Sequence, residues 1–265
     1  MDFLDNYDHQ ISGVFYFPRS IPTKEAEEIN CHILGGCLCL SECKEDTNCS
    51  CVKRSGTNYD YENILDTENY IIQDNNIRIP SYECNRNCTC NNVICGNKLV
   101  QFGPRKGLVV RACDNQIKGL GLFTLRNLKA GNFVCEYAGE IITENEAKKR
   151  FEVYKELKKV NYIFCINETY GTRKQKTFID PTVYGNIGRY INHSCNPNCK
   201  LVVIRENDML PTLGIFANRD INENTELTYT YGDSNDNHET EEQRKPCYCN
   251  STNCNKFLPF EAGLT

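Results

Sequence analysis

Eighteen cysteines in 265 residues constrain this chain more than any other feature. Cys37, Cys39, Cys43, Cys49 and Cys51 form one burst, Cys84, Cys88, Cys90 and Cys95 a second, and Cys247, Cys249 and Cys254 a third. A chain of this length can bury a sizeable core without cross-links, so the cysteines need another reason. Met1 to Asp5 carries acid rather than the basic start of an export signal, and no run approaches the ~18 apolar residues of a membrane span. The chain is therefore expected to be neither secreted nor inserted, and to sit where disulfides rarely persist. Metal binding is the better explanation. A secreted disulfide scaffold is the alternative, and zinc content and free-thiol counting would separate the two.

The first two bursts together hold nine thiols, an odd number for disulfide pairing. Nine thiolates supply the twelve tetrahedral positions of three zinc ions if six bind one ion each and three bridge two. Nine negative charges would then face six positive ones, so backbone amides or basic side chains such as Lys44 and Arg86 are expected around the core. Spacing does not say which thiols bridge. The third burst, CxCx4C, is one ligand short of a tetrahedral site, and Cys195 and Cys199, both close to Pro197, are the candidates to complete it. Cys31, Cys113 and Cys135, with Cys165 and Cys199, otherwise read as free thiols packed in the core.

Thirty Lys plus Arg against 35 Asp plus Glu give a formal charge of -5, which does not suggest a surface that grips bare DNA by neutralising phosphates. An acidic protein suits basic partners better. Along the chain, residues 1–30 are polar and acid-rich beyond Val14 to Phe17 and are silent about function, and residues 31–105 hold both early bursts. The cysteine-free stretch between those bursts, rich in Asn, Asp and Tyr, reads as a long loop. Residues 106–232 carry short apolar runs cut by Gly, Asn and Pro: Leu108–Val110, Phe133–Cys135, Tyr162–Phe164, Leu201–Val203 and Leu213–Phe216. These are strand signals. A single helix is expected over Thr143–Leu157, with Thr143 as N-cap and Glu146 placed for a capping box. Residues 233–246 form a polar connector and 247–265 a last cysteine module. The fold class is mainly β, with no strand–helix alternation of a doubly wound sheet.

Four motifs follow one another in the β-rich part: Lys118-Gly119-Leu120-Gly121-Leu122-Phe123; Glu136-Tyr137-Ala138-Gly139-Glu140; Gly188-Arg189-Tyr190-Ile191-Asn192-His193-Ser194-Cys195; and Glu226-Leu227-Thr228-Tyr229-Thr230-Tyr231. The first lacks the third glycine and strand–turn–helix setting of a dinucleotide fingerprint. In order and spacing the set resembles the SET domain. The nine-cysteine pattern resembles the pre-SET module of the histone methyltransferase clade that includes the heterochromatin-forming and SETMAR-type enzymes. The resemblance spans roughly residues 37–260; a departure is Leu120, where an aromatic residue is frequent.

That resemblance implies small irregular β-sheets with a threaded C-terminal segment, flanked by pre-SET and post-SET zinc modules. It implies three zinc ions on the nine thiols and a fourth on Cys247, Cys249, Cys254 and Cys195. It implies an S-adenosylmethionine pocket made by Lys118, Gly119, Leu120 and Gly121 with Tyr162, Arg189, Asn192 and His193, closed by Phe257 and Leu258. Tyr231 would align the target amine, Tyr137 line the opposite wall and Tyr229 set how many methyl groups fit. The implied activity is lysine methylation, mainly mono- and dimethylation, of the histone H3 tail or nucleosome, at lysine nine first and lysine thirty-six or four next. Residence in the nucleus, on chromosomes, follows from that substrate. No membrane partner and no intrinsic DNA-binding domain is expected, and oligomeric state is not encoded in any motif. A catalytically inactive chromatin peptide-binding module is the alternative; the intact tyrosines argue against it.

Overall fold

The thiols cannot approach one another unless the chain around them is folded back, and the short elements between the first two cysteine bursts do part of that work. The structure, a computed structural model, describes residues 7, 9, 11–30, 32–40, 43, 49–62, 70–72, 80–92, 95–232 and 245–259. The elements in chain order begin with β1 (Phe15–Tyr16), β2 (Ile21–Pro22) and α1 (Lys24–Asn30). The cysteine-rich part carries α2 (Val52–Ser55), β3 (Tyr59–Asp60), β4 (Ile71–Ile72) and β5 (Ser81–Tyr82). The remainder holds β6 (Leu108–Ala112), β7 (Leu120–Thr124), β8 (Phe133–Glu136), β9 (Glu140–Ile142), α3 (Glu144–Glu156), β10 (Phe164–Tyr170) and β11 (Arg173–Asp180). It ends with β12 (Tyr184–Gly185), β13 (Asn192–His193), β14 (Cys199–Arg205), β15 (Thr212–Ala217) and β16 (Thr228–Tyr229).

The chain is mainly β, as read from the apolar runs. Two sheets of four strands, ordered β10-β11-β9-β2 and β5-β14-β15-β8, are joined by two-stranded pairs. One core runs through them, with Leu122, Val134, Ile179, Ile191, Ile215 and Leu227 all buried. A satellite core of Tyr59, Tyr70, Ile72, Leu99, Phe133 and Phe216 joins the cysteine-rich part to β8 and β15.

Two expectations need correction, and one region gains a structure. The stretch between the cysteine bursts is not wholly a loop: β3 pairs antiparallel with β4, bringing Tyr59 opposite Ile72. Strands of two residues leave no periodicity to read, and burial of Tyr59, Tyr70 and Ile72 decides the conformation. The strand expected at Tyr162 starts at Phe164, because pairing with β11 begins at Ile179 opposite Phe164. The N-terminal region, on which the sequence is silent, forms strands: β1 pairs parallel with β12 in a two-stranded sheet of their own, and β2 pairs parallel with β9 at the edge of a four-stranded sheet.

Helix α3 lies where the sequence placed it. Thr143 Oγ1 accepts from Glu146 N at 3.3 Å, satisfying one donor of the first turn. The reciprocal half of the expected box is diverted, since the Glu146 carboxylate accepts from Arg150 Nε at 2.9 Å. No helix among the described residues is long and apolar enough to cross a membrane.

Candidate active site and metal centres

A crossing of two short parallel strands organises the site. In β13–β16 Asn192 lies opposite Thr228 and His193 opposite Tyr229. Ser194 N donates to Tyr229 O at 3.1 Å, Asn198 Nδ2 to Glu226 O at 2.8 Å and Leu227 N to Leu122 O at 2.8 Å. The segment 226–231 is therefore held between β7 and the 192–198 turn, which brings the last of the four motifs against the first and third.

The three candidate tyrosines meet there. Tyr137 and Tyr229 are buried, with ring centroids 6.0 Å apart, and Tyr231 lies 5.0 Å from Tyr229. Phe164 completes the box, 5.8 Å from Tyr137 and 6.1 Å from Tyr229. Phe164 was not singled out from the sequence, although it stands two residues after Tyr162 and so on the same side of an extended chain. Tyr137 donates to Tyr162 O at 2.6 Å and Tyr231 to Ile191 O at 3.1 Å. Burial pushes the Tyr137 and Tyr229 phenols well up. Tyr231 is 39 % exposed, but its hydroxyl is turned inward onto the buried Ile191, and desolvation there pushes it up as well. All three hydroxyls stay protonated and act as neutral donors and acceptors.

The residues expected around a cofactor form one adjoining wall. Arg189 is buried; its guanidinium lies 4.4 Å from the Tyr162 ring centroid and 5.1 Å from that of Tyr190, and Nε donates to Pro181 O at 3.0 Å. It is a stacked cation beside the box rather than a surface ion pair. Asn192 Nδ2 donates to Leu120 O at 3.1 Å, tying the third motif to the first. Gly119 has φ +71°, which an L side chain rarely adopts. Gly121 is small for a chain-internal reason, because a Cβ there would lie 2.7 Å from Cys113 Sγ. Lys118 is ion-paired with Glu226, a carboxylate assigned no role from the sequence.

His193 joins this wall to a thiol cluster. Its Nδ1 accepts from Tyr231 N at 3.2 Å, which places the proton on Nε2, 3.3 Å from Cys195 Sγ. Burial lowers the imidazole to about 4, so the ring is neutral near pH 7. Cys195, Cys247, Cys249 and Cys254 place their sulfurs within 4.8 Å of one another, and Cys195 and Cys247 stand 3.9 Å apart. Thiolates about 2.3 Å from a tetrahedral ion lie about 3.8 Å from each other, so this donor set fits zinc. Cys199, the competing candidate, is buried elsewhere in β14. Asn255 N donates to Cys195 Sγ and Lys256 N to Cys254 Sγ, both at 3.4 Å. The Cys249 thiol is pushed up by burial, but hydrogen bonds from Cys195 N and Ser251 outweigh this and bring it down to about 5. Beyond the cluster Phe257 pairs with Pro246, and Leu258 N donates to Lys245 O at 2.8 Å, so both half-buried side chains are carried by the segment that the thiols pull in.

The nine early thiols converge likewise, all of them buried. Tetrads Cys37-Cys39-Cys43-Cys49 and Cys43-Cys84-Cys90-Cys95 each have sulfurs within 4.8 Å. Sulfur separations of 3.9 Å for Cys37–Cys43 and Cys37–Cys84 and 3.6 Å for Cys51–Cys88 match tetrahedral edges. Four-way grouping of this kind fits metal ligation rather than pairwise disulfides. Backbone amides face the cluster as expected: Cys37 N and Asn85 N donate to Cys88 Sγ at 3.3 and 3.1 Å, and Asn97 N to Cys95 Sγ at 3.4 Å. Arg86 is exposed, while Lys44, Cys31 and most of the 233–246 connector lie outside the described residues.

Known proteins resemble the chain in sequence and fold. The SET domain family matches residues 119–232 and the Pre-SET motif residues 2–98. The chain is 39 % identical over 227 residues to the probable histone-lysine N-methyltransferase set-23 of Caenorhabditis briggsae, covering 85 % of this chain and 87 % of the relative. The crystal structure of the methyltransferase domain of human histone-lysine N-methyltransferase SETMAR superposes with a TM-score of 0.75 at 34 % identity, over 93 % of this chain and 89 % of that one. KRYPTONITE, in a complex with DNA, an H3(1-15) peptide and SAH, superposes with a TM-score of 0.73 at 27 % identity, over 93 % of this chain and 48 % of that one.

Proposed function

The chain belongs to the SET-domain histone-lysine N-methyltransferases, S-adenosylmethionine-dependent enzymes, and from that premise we propose that it mono- and dimethylates the histone H3 tail at lysine nine. Lysine thirty-six and lysine four rank next. The observation that carries this reading is the box of Tyr137, Phe164, Tyr229 and Tyr231 set against the Arg189–Asn192 wall. Its inner surface is aromatic and uncharged, which suits an unbranched alkylamine, and its size is limited by hydroxyls.

When bound, S-adenosylmethionine supplies an electrophilic methyl group on a cationic sulfonium. The chain's task is to deliver a neutral amine in line. A free lysine near pKa 10.4 gives up its proton at a cost of about 4–5 kcal/mol at pH 7. Burial between aromatic walls disfavours the ammonium form and lowers that cost. The proton leaves to solvent, since phenols held neutral are poor proton acceptors. Tyr231 orients the amine from one side, Tyr137 closes the other, and the Tyr229 hydroxyl occupies room that further methyl groups would need. Lys118, Gly119, Leu120 and Gly121, with Tyr162, Arg189, Asn192 and His193, hold the cofactor, and Phe257 and Leu258 cover it.

Three zinc ions on the nine early thiols and one on the late tetrad complete the assignment. Cys37, Cys39, Cys43 and Cys49 would hold one ion, Cys43, Cys84, Cys90 and Cys95 a second, and Cys37, Cys51, Cys84 and Cys88 a third. With four thiolates each, such ions would have a structural role, bracing the chain around the catalytic sheets. Histone tails on nucleosomes as substrate imply work in the nucleus, on chromosomes.

Incubation of the protein with labelled cofactor and histone octamers, followed by mapping of the modified lysine by mass spectrometry, tests the reading. Mono- and dimethylated lysine nine of H3 is expected. Label confined to another lysine corrects the site, and peptide binding without any transfer would favour an inactive binding module.

A further inference from the structure

Behind the cofactor turn lies a polar network that the reaction does not explain. Glu226 Oε1 accepts from Asn192 Nδ2 at 2.9 Å and from Cys113 Sγ at 3.3 Å, while Oε2 is ion-paired with Lys118. Asn192 Nδ2 also donates to Leu120 O at 3.1 Å and to Cys113 Sγ at 3.4 Å. Burial and the Glu226 charge push the Cys113 thiol up to about 11, so it is a neutral donor toward the carboxylate. Gly121 makes room for the assembly, since a Cβ there would stand 3.0 Å from Glu226 Oε1 and 3.2 Å from Asn192 Nδ2.

An asparagine amide has two nearly isosteric ends, and its environment decides which faces which way. An ionised carboxylate only accepts, so beside Glu226 and Leu120 O the amide must present Nδ2. A flipped amide would set Oδ1 against two acceptors. Lys118 holds the other carboxylate oxygen and so fixes the carboxylate. With Nδ2 committed to the network, Oδ1 is left as the acceptor available to a ligand. We propose that Glu226 is a positioning residue that fixes the Asn192 amide so that Oδ1 accepts a hydrogen bond from a donor group of the cofactor. This rests on the cofactor assignment above.

The test is a double-mutant cycle on the zinc-loaded full chain, with S-adenosylhomocysteine affinity read by calorimetry. Glu226→Gln offers an amide of its own and tolerates either Asn192 orientation. It is expected to weaken binding about tenfold in the wild-type background, the scale of one charge-assisted hydrogen bond. In the Asn192→Ala background the same change is expected to cost less than about twofold, as coupled residues do. A loss of equal size in both backgrounds, or none in either, overturns the proposal. Side-chain amide spectra of the apo protein provide a readout without ligand: the Asn192 NH2 pair, assigned by its loss in Asn192→Ala, should lose exchange protection in Glu226→Gln. If Glu226→Gln does not fold, Glu226→Asp, which withdraws the carboxylate by one methylene, is read by the same criteria. Failure of the wild type itself to bind would sink the cofactor assignment, whereas a binding wild type with an unaffected Glu226 variant sinks this inference alone.

Discussion

Tyr229 and Tyr137 meet edge to face, their planes at 69°, and Tyr137 donates to the Tyr162 carbonyl at 2.6 Å. The buried Tyr229 ring is thus packed between Tyr137, Phe164 and Tyr231, and on the proposed function its hydroxyl takes up room that a further methyl group would need. Tyr229→Phe removes that oxygen and keeps the ring. The fraction of higher methyl states should rise in a mass-resolved assay, and the melting temperature should fall by no more than the equivalent of about 1 kcal/mol, since the ring packing is kept. An unchanged product distribution would refute the role given to Tyr229.

Tyr231 differs from its two neighbours in being partly exposed, at the point where the chain leaves the β13–β16 pair. Its hydroxyl is anchored on Ile191 O, one residue from Asn192, so on the proposed function loss of that anchor should loosen alignment of the amine and leave cofactor binding in place. Tyr231→Phe should lower kcat about 10²-fold, the scale of misplacement by about 1 Å. Affinity for S-adenosylhomocysteine should stay within about twofold. Equal losses in both would assign Tyr231 to folding of the segment instead.

The late thiol tetrad is half-exposed and the early cluster is buried, which separates the two in a chelation experiment. Cys247→Ser should reduce bound zinc from four ions to three per chain by elemental analysis and leave the β-sheet signal intact. Because Cys195 lies two residues from His193 and Cys247 N donates to Lys256 O next to Phe257, loss of this ion should also release the cover from the cofactor wall. Cofactor affinity should fall at least tenfold, as metal binding and tail folding form one equilibrium. Retention of both full affinity and four ions would exclude the tetrad as a metal site.

Much of this arrangement was legible in the chain because its signals are local. The thiols announce themselves by spacing, α3 by Thr143 and Glu146, and the long strands β14 and β15 by continuous apolar runs. What stayed hidden depends on contacts distant in sequence. Strands of two residues such as β3 and β4 have no period, and their pairing is set by burial of Tyr59 and Ile72 against β8 and β15. Phe164 looked like a strand aromatic until Tyr137 and Tyr229 were brought to it. Glu226 opens the fourth motif with no role of its own in the sequence, and only the pairing of β13 with β16 gives it Asn192, Lys118 and Cys113 as neighbours. The choice between Cys195 and Cys199 was likewise a question of direction, since β14 turns Cys199 into the core.

A last prediction concerns the junction between the N-terminal segment, the cysteine-rich part and the catalytic sheets. Arg19 is ion-paired with Glu206 and with Glu136, Ser20 N donates to Glu136 Oε1 at 2.9 Å, and Glu83 nearby accepts from Tyr59 at 2.5 Å. Burial raises both Glu136 and Glu206 despite Arg19, and Glu206 reaches about 7 with the neighbouring Glu83 and Glu136 charges adding to the effect. A carboxyl whose folded pKa is raised from 4.5 to about 7 binds more protons folded than unfolded across that window. Stability therefore falls as pH rises from about 4.5 to 7, and the penalty is constant above it. Glu206→Gln removes the titration and keeps the shape. In zinc-saturated protein, its stability relative to wild type should climb between pH 5.5 and 7.5, by an amount on the order of 2 kcal/mol. Chemical denaturation at several pH values measures this directly. A variant that instead loses ground to wild type as pH rises would mean that pairing with Arg19 outweighs desolvation, and that the junction is held by its charges rather than strained by them.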